Sequence, residues 1–170
     1  MANYSLLLFR ASIVLALLFI SEADLISDVC SKAQKTFLCN QALRSDPCSR
    51  GANLPGLGKI AIDESRAAVQ NTIKVAKLFD NRGNKGKSET CIETCGDAID
   101  NLNDCQKLVK ARDKFSLNTL QTKASAALTD VSTCDDEFGA GEPAKLKEAS
   151  QTAQDLIDVV LVIANLLAGN

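Results

Sequence analysis

Seven cysteines and no histidine set the chemistry open to this chain of 170 residues. Without an imidazole there is no general base for Ser-His or Cys-His catalysis and no neutral nitrogen ligand for a metal. Carboxylate-only or Ser-Lys chemistry is conceivable, but no such constellation assembles in the sequence. No CxxC occurs, which removes the common zinc and thioredoxin-like patterns. An enzyme is therefore the less favoured reading, and no cofactor is called for.

What the cysteines do depends on where the chain goes. Residues 1–23 hold one basic residue, Arg10, then an apolar run from Ala11 to Ile20, then Ser21 and Ala23 spaced like a signal-peptidase site. The run is shorter than the ~20 residues that span a bilayer, so the segment reads as a secretory signal and the mature chain, 24–170, as one domain. In an oxidising compartment cysteines pair. An odd number leaves at least one thiol free or bridging to another molecule.

The formal net charge of −2 and a pI near 5.2 offer no basic surface for nucleic acid and no general attraction to anionic membrane. Abundant Ala, Leu and Val with no Trp favour helices over sheet.

Between Cys91 and Cys134 two apolar stripes run in steps of three and four, the spacing of one helix face. The first is Cys91, Cys95, Ala98, Leu102, Cys105 and Val109; the second is Leu117, Leu120, Ala124, Ala127, Val131 and Cys134. A fold at Arg112-Asp113 sets them level, pair by pair, as an antiparallel helical hairpin requires. That register predicts a disulfide between Cys91 and Cys134 at the open end.

The remaining elements are placed around this hairpin. Residues 24–43 read as two short helical pieces broken at Gln34–Thr36; Cys30 and Cys39 can pair only if the chain turns between them, because nine residues of continuous helix span about 13.5 Å. The stretch from Cys48 to Gly56 is turn-rich and reads as a linker. A long amphipathic helix is expected from Leu57 to Phe79, with Ile62, Val69, Ile73 and Ala76 on its apolar face. Ser88 is the expected N-cap of the next helix. After a break at Gly139–Pro143, a last helix runs from about Ala144 to Leu167; from Leu156 to Leu167 it is apolar on nearly all sides, with Asp158 and Asn165 as interruptions. Such a helix is usually buried; a cleaved lipid-anchor signal is the sharper alternative, with Asp158 against it. The expected architecture is all-α: an up-and-down four-helix bundle preceded by a small N-terminal helical hairpin.

Three motifs in order carry a family resemblance. They are Ile26-x3-Cys30-x8-Cys39-x3-Leu43-x-Ser45-Asp46-Pro47, then Cys91-x6-Ala98-Ile99-Asp100-x-Leu102, then Ser125-Ala-Ala-Leu-Thr-Asp130-x2-Thr133-Cys134-x-Asp136-x-Phe138. Together they resemble the plant invertase and pectin methylesterase inhibitors. The resemblance implies two disulfides, Cys30–Cys39 and Cys91–Cys134, in a rigid bundle. It also implies secretion to the apoplast, and a stoichiometric complex with a cell-wall carbohydrate-active enzyme. Cys48, Cys95 and Cys105 depart from that framework. Cys95 and Cys105 lie on the core stripe and read as buried small hydrophobes, while a third bridge from Cys48 to either is open.

Candidate partner contacts are the outward polar residues Gln70, Asn71, Lys74, Thr94, Asp97, Asp100, Asn101 and Asp104, for each of which a solvated helix face is the simpler reading. Within the resemblance, pectin methylesterase is the favoured target on the size of that branch of the family; an inhibitor carrying acidic side chains could occupy its groove by resembling the acidic polymer. Acid invertase is the alternative, and a secreted lipid- or protein-binding bundle with no enzyme target is the more distant one.

Overall fold

The structure, a computed structural model, describes residues 25–80 and 83–169; the expected signal segment lies outside them. The first described residues form a helical turn-pair: residues 25–32 form α1, a turn follows, and Thr36–Ser45 forms α2. The turn lets Cys30 and Cys39 meet in a disulfide. Asp46 then accepts the Cys48 N–H at 2.7 Å and starts a single 3-10 turn, Pro47–Ser49.

Four long helices follow: α3 Leu54–Lys77, α4 Lys85–Leu108, α5 Lys114–Phe138 and α6 Ala144–Ala168. Successive helices pack side by side, and α6 closes the bundle against both α3 and α5. This is the up-and-down arrangement. Among the described residues there is no strand.

Two starts differ from the sequence reading. The expected linker already enters the helix at Leu54: Asn53 caps it by accepting the Gly56 N–H at 3.0 Å, and Pro55 sits in the first turn, where its missing N–H costs nothing. Likewise α4 starts at Lys85, so Ser88 lies inside the helix rather than capping it. Its hydroxyl is buried and donates to the Ala76 carbonyl at 2.8 Å, pinning α4 to the end of α3.

Every residue of both hairpin stripes is buried. Small residues at Ala98, Ala124 and Ala127 allow α4 and α5 to approach closely, and the Cys91–Cys134 disulfide joins their far ends. Cys95 and Cys105 are buried thiols and Cys48 is an exposed one, so no third bridge forms. The Cys105 thiol faces the Leu120 carbonyl at 3.8 Å, and the Cys95 sulfur lies within 4.8 Å of both sulfurs of the neighbouring disulfide.

The last helix, α6, is long and apolar enough to cross a membrane by length and composition. Here Leu156, Ile157, Val160 and Ile163 are buried in the bundle instead. Both polar interruptions have partners. Asp158 accepts the Gln34 N–H at 2.8 Å, fastening the α1–α2 turn to the bundle, and Asn165 accepts from Gln121 of α5 at 2.8 Å. Gly58 leaves no room for a side chain: a Cβ would stand 2.6 Å from Val109 Cγ2 and 3.1 Å from Ile163 Cγ2.

Candidate partner-binding face

The outward side of α4 presents carboxylates at a regular interval. Glu93, Asp97, Asp100 and Asp104 follow steps of four, three and four, so they form one stripe along the helix. At 1.5 Å per residue the stripe runs about 16 Å. Asp97 and Asp100 are exposed and enter no ion pair among the described residues.

On the flank toward α5 the stripe is held by a polar seam. Asp104 receives Lys107 at 2.7 Å and Lys123 of α5 at 2.9 Å, and these two ammonium groups hold its carboxyl down at about 2. The same contact raises the Lys123 pKa. Lys123 also donates to Asn101 Oδ1 at 3.2 Å, while Asn101 Nδ2 donates to Asp130 of α5 at 2.9 Å. Burial raises the Asp130 pKa; the Asn101 bond opposes that and the nearby Asp97 charge adds to it. Thr94 is half-buried and donates to the Cys91 carbonyl of its own helix at 3.4 Å.

The eight candidate residues are therefore not one patch. Thr94, Asp97, Asp100, Asn101 and Asp104 share the outer and α5-facing side of α4. Gln70 and Lys74 follow Asp63 around α3 at helical spacing, and Asp63 accepts from Gln106 of α4 at 3.3 Å, which places them on the α4-facing edge. Asn71 lies on the other edge, in a groove of about 340 Å³ with Lys145, Glu148 and Thr152 of α6. Sequence reasoning missed Glu93, although its spacing from Asp97 was visible, and Lys123, which only the contact between two helices reveals.

A second carboxylate pair sits at the α5–α6 corner. Asp135 accepts from Gln154 at 2.7 Å through one oxygen, while its other oxygen and Glu142 Oε1 are buried without a donor. Burial, then the Asp135 carboxylate, pushes Glu142 up to about 7 against a weaker pull from Lys147. A protonated Glu142 can donate to Asp135, which resolves the two orphan oxygens together.

None of these groups is a nucleophile paired with a base. The arrangement can present fixed charge to a partner. Residues 24–163 match the family described as plant invertase/pectin methylesterase inhibitor. The chain is 39% identical to a pectinesterase inhibitor of Actinidia deliciosa, over 94% of this chain and 93% of that protein. It is 27% identical to pectinesterase inhibitor 2 of Arabidopsis thaliana, covering 84% and 83%. The fold superposes on a crystal structure of a mutant form of a pectin methylesterase inhibitor from Arabidopsis with a TM-score of 0.68 at 25% identity, covering 83% of this chain and 95% of that one.

Proposed function

The chain belongs to the plant invertase/pectin methylesterase inhibitor family, and we propose that it is a secreted inhibitor that docks on pectin methylesterase and blocks its substrate cleft. In this reading residues 1–23 are removed as a signal, the mature domain acts in the apoplast, and no membrane or nucleic acid takes part. Inhibition needs a body that keeps its shape on docking, since every group ordered at the interface subtracts from affinity. A bundle with a filled core, one disulfide joining α4 to α5 and a second stapling the α1–α2 hairpin, is such a body.

The observation that carries the choice of target is the stripe Glu93, Asp97, Asp100 and Asp104. A cleft built for a polymer of uronic acids has to accept regularly spaced carboxylates, and α4 offers four of them on a rigid rod. Gln70 and Lys74 lie on the edge of α3 that faces α4. Asn71, in the α3–α6 groove, stands apart from it.

Acid invertase is the second reading. It rests on Phe115, a large apolar side chain 81% exposed at the start of α5, which is free to enter a deep pocket. Titration of the secreted chain into separate assays of plant pectin methylesterase and acid invertase decides between them. Stoichiometric loss of esterase activity is the expected result; loss of invertase activity alone would transfer the assignment, and no effect on several isoforms of either would overturn both.

A further inference from the structure

A cavity of about 680 Å³ lies at the end of the bundle where α3 begins, α4 passes into α5 and α6 ends. Its polar lining is Lys59 of α3, Lys110 and Arg112 of the α4–α5 connection, and Asn53; Leu117 and Leu167 supply apolar wall. All three cations are exposed, and none enters an ion pair with a described residue. In a chain of net charge −2, three unneutralised cations around one concavity are a local reversal of sign. The carboxylate next in sequence, Asp113, is already engaged: its Oδ1 accepts the Ser116 N–H at 2.9 Å as the N-cap of α5. Asn53 spends its carbonyl oxygen on the Gly56 N–H, which leaves its amide N–H groups free to donate.

We propose that this cavity binds a short stretch of an acidic sugar chain, the carboxylates meeting Lys59, Lys110 and Arg112 and the apolar faces of the rings lying on Leu117 and Leu167. The volume falls in the range of small-ligand pockets, about 300–1,000 Å³, so a single inorganic anion would leave most of the wall untouched. Nucleic acid would need a basic track extending beyond one pocket. A sugar chain combines what the lining offers: spaced anionic groups, hydroxyls for the Asn53 amide, and C–H faces for the leucines. The site lies at the bundle end, apart from the carboxylate stripe of α4. It goes beyond the inhibitor reading and does not depend on it, because binding is measured with no enzyme present.

The test is calorimetric titration of the secreted chain with three probes at low and physiological salt: a fully de-esterified galacturonic acid decamer, the same decamer methyl-esterified, and poly-glutamate. Saturable binding of the de-esterified decamer is expected, weakening as salt rises. The esterified form should bind at least tenfold more weakly, as should poly-glutamate, which has carboxylates but no rings. The double variant Lys59→Gln/Arg112→Gln should lose at least tenfold in affinity, whereas Lys77→Gln, at the opposite end of α3, should bind as the parent does. These side chains are solvent-exposed and unbonded, so circular dichroism and thermal unfolding should be unchanged. Equal affinity for the esterified decamer or for poly-glutamate, or undiminished binding by the folded double variant, would overturn the proposal. If the parent binds none of the three probes it is overturned as well, whatever the inhibition assays give.

Discussion

Three free thiols sit in two different environments, and their reactivity follows from that. Burial is the first cause that raises Cys95 and Cys105 to about 12, with nearby aspartates adding to it. Both stay protonated at neutral pH, and a buried thiol is not a nucleophile. Iodoacetamide applied to the native protein should label Cys48 alone, and all three after unfolding under non-reducing conditions; mass spectrometry reads the difference. Glu142 gives the opposite kind of prediction. Its folded pKa of about 7 lies above its ordinary value of 4.5, so between those values the folded state holds more protons than the unfolded one. Stability should therefore fall as pH rises from about 4.5 to about 7, and Glu142→Gln should flatten that slope in thermal melts taken across the window. The sequence showed both carboxylates but not their pairing, because Asp135 and Glu142 meet only through the turn at Gly139–Gly141. Asp158 was visible only as an interruption; its bond to the Gln34 N–H comes from a turn 124 positions earlier.

Helices with one buried face are legible because burial forces a period on the sequence. The α4 and α5 stripes could be matched residue to residue, and the disulfided ends stand where the register puts them. The start of α3 was not legible, since Leu-Pro-Gly-Leu-Gly suggests turns until Asn53 is recognised as a cap and Pro55 as a first-turn residue. Ser88 misled for a related reason: a serine before a glutamate fits an N-cap, but the hydroxyl serves contact between helices. Removing the bond that ties the hairpin tests how much α4 and α5 depend on it. Cys91→Ser/Cys134→Ser should destabilise the fold by about 2–5 kcal/mol in urea unfolding while leaving the helical circular dichroism in place below the transition.

At the scale of the molecule, charge is distributed by region: carboxylates along the outside of α4, unpaired cations at the end where α3 begins. Under the inhibitor reading, Asp97→Lys/Asp100→Lys should weaken the complex with pectin methylesterase at least tenfold, about 1.4 kcal/mol. The melting temperature should scarcely move, because both side chains are exposed and unpaired. Three of the four carboxylates of that face could be read from spacing alone, as Asp97, Asp100 and Asp104 share one side of a helix. The supporting cation Lys123 could not, since it belongs to another helix. The sulfur of Cys95, so close to the Cys91–Cys134 bond, has a consequence for how the molecule is made. A reduced chain whose core has not yet closed over these thiols offers Cys134 two suitors one helical turn apart, so oxidation is a race rather than a lookup. Refolding of the reduced protein in a glutathione buffer should pass through a Cys95–Cys134 isomer, detectable by peptide mapping, and Cys95→Ala should raise the yield of correctly bonded protein by closing that side route.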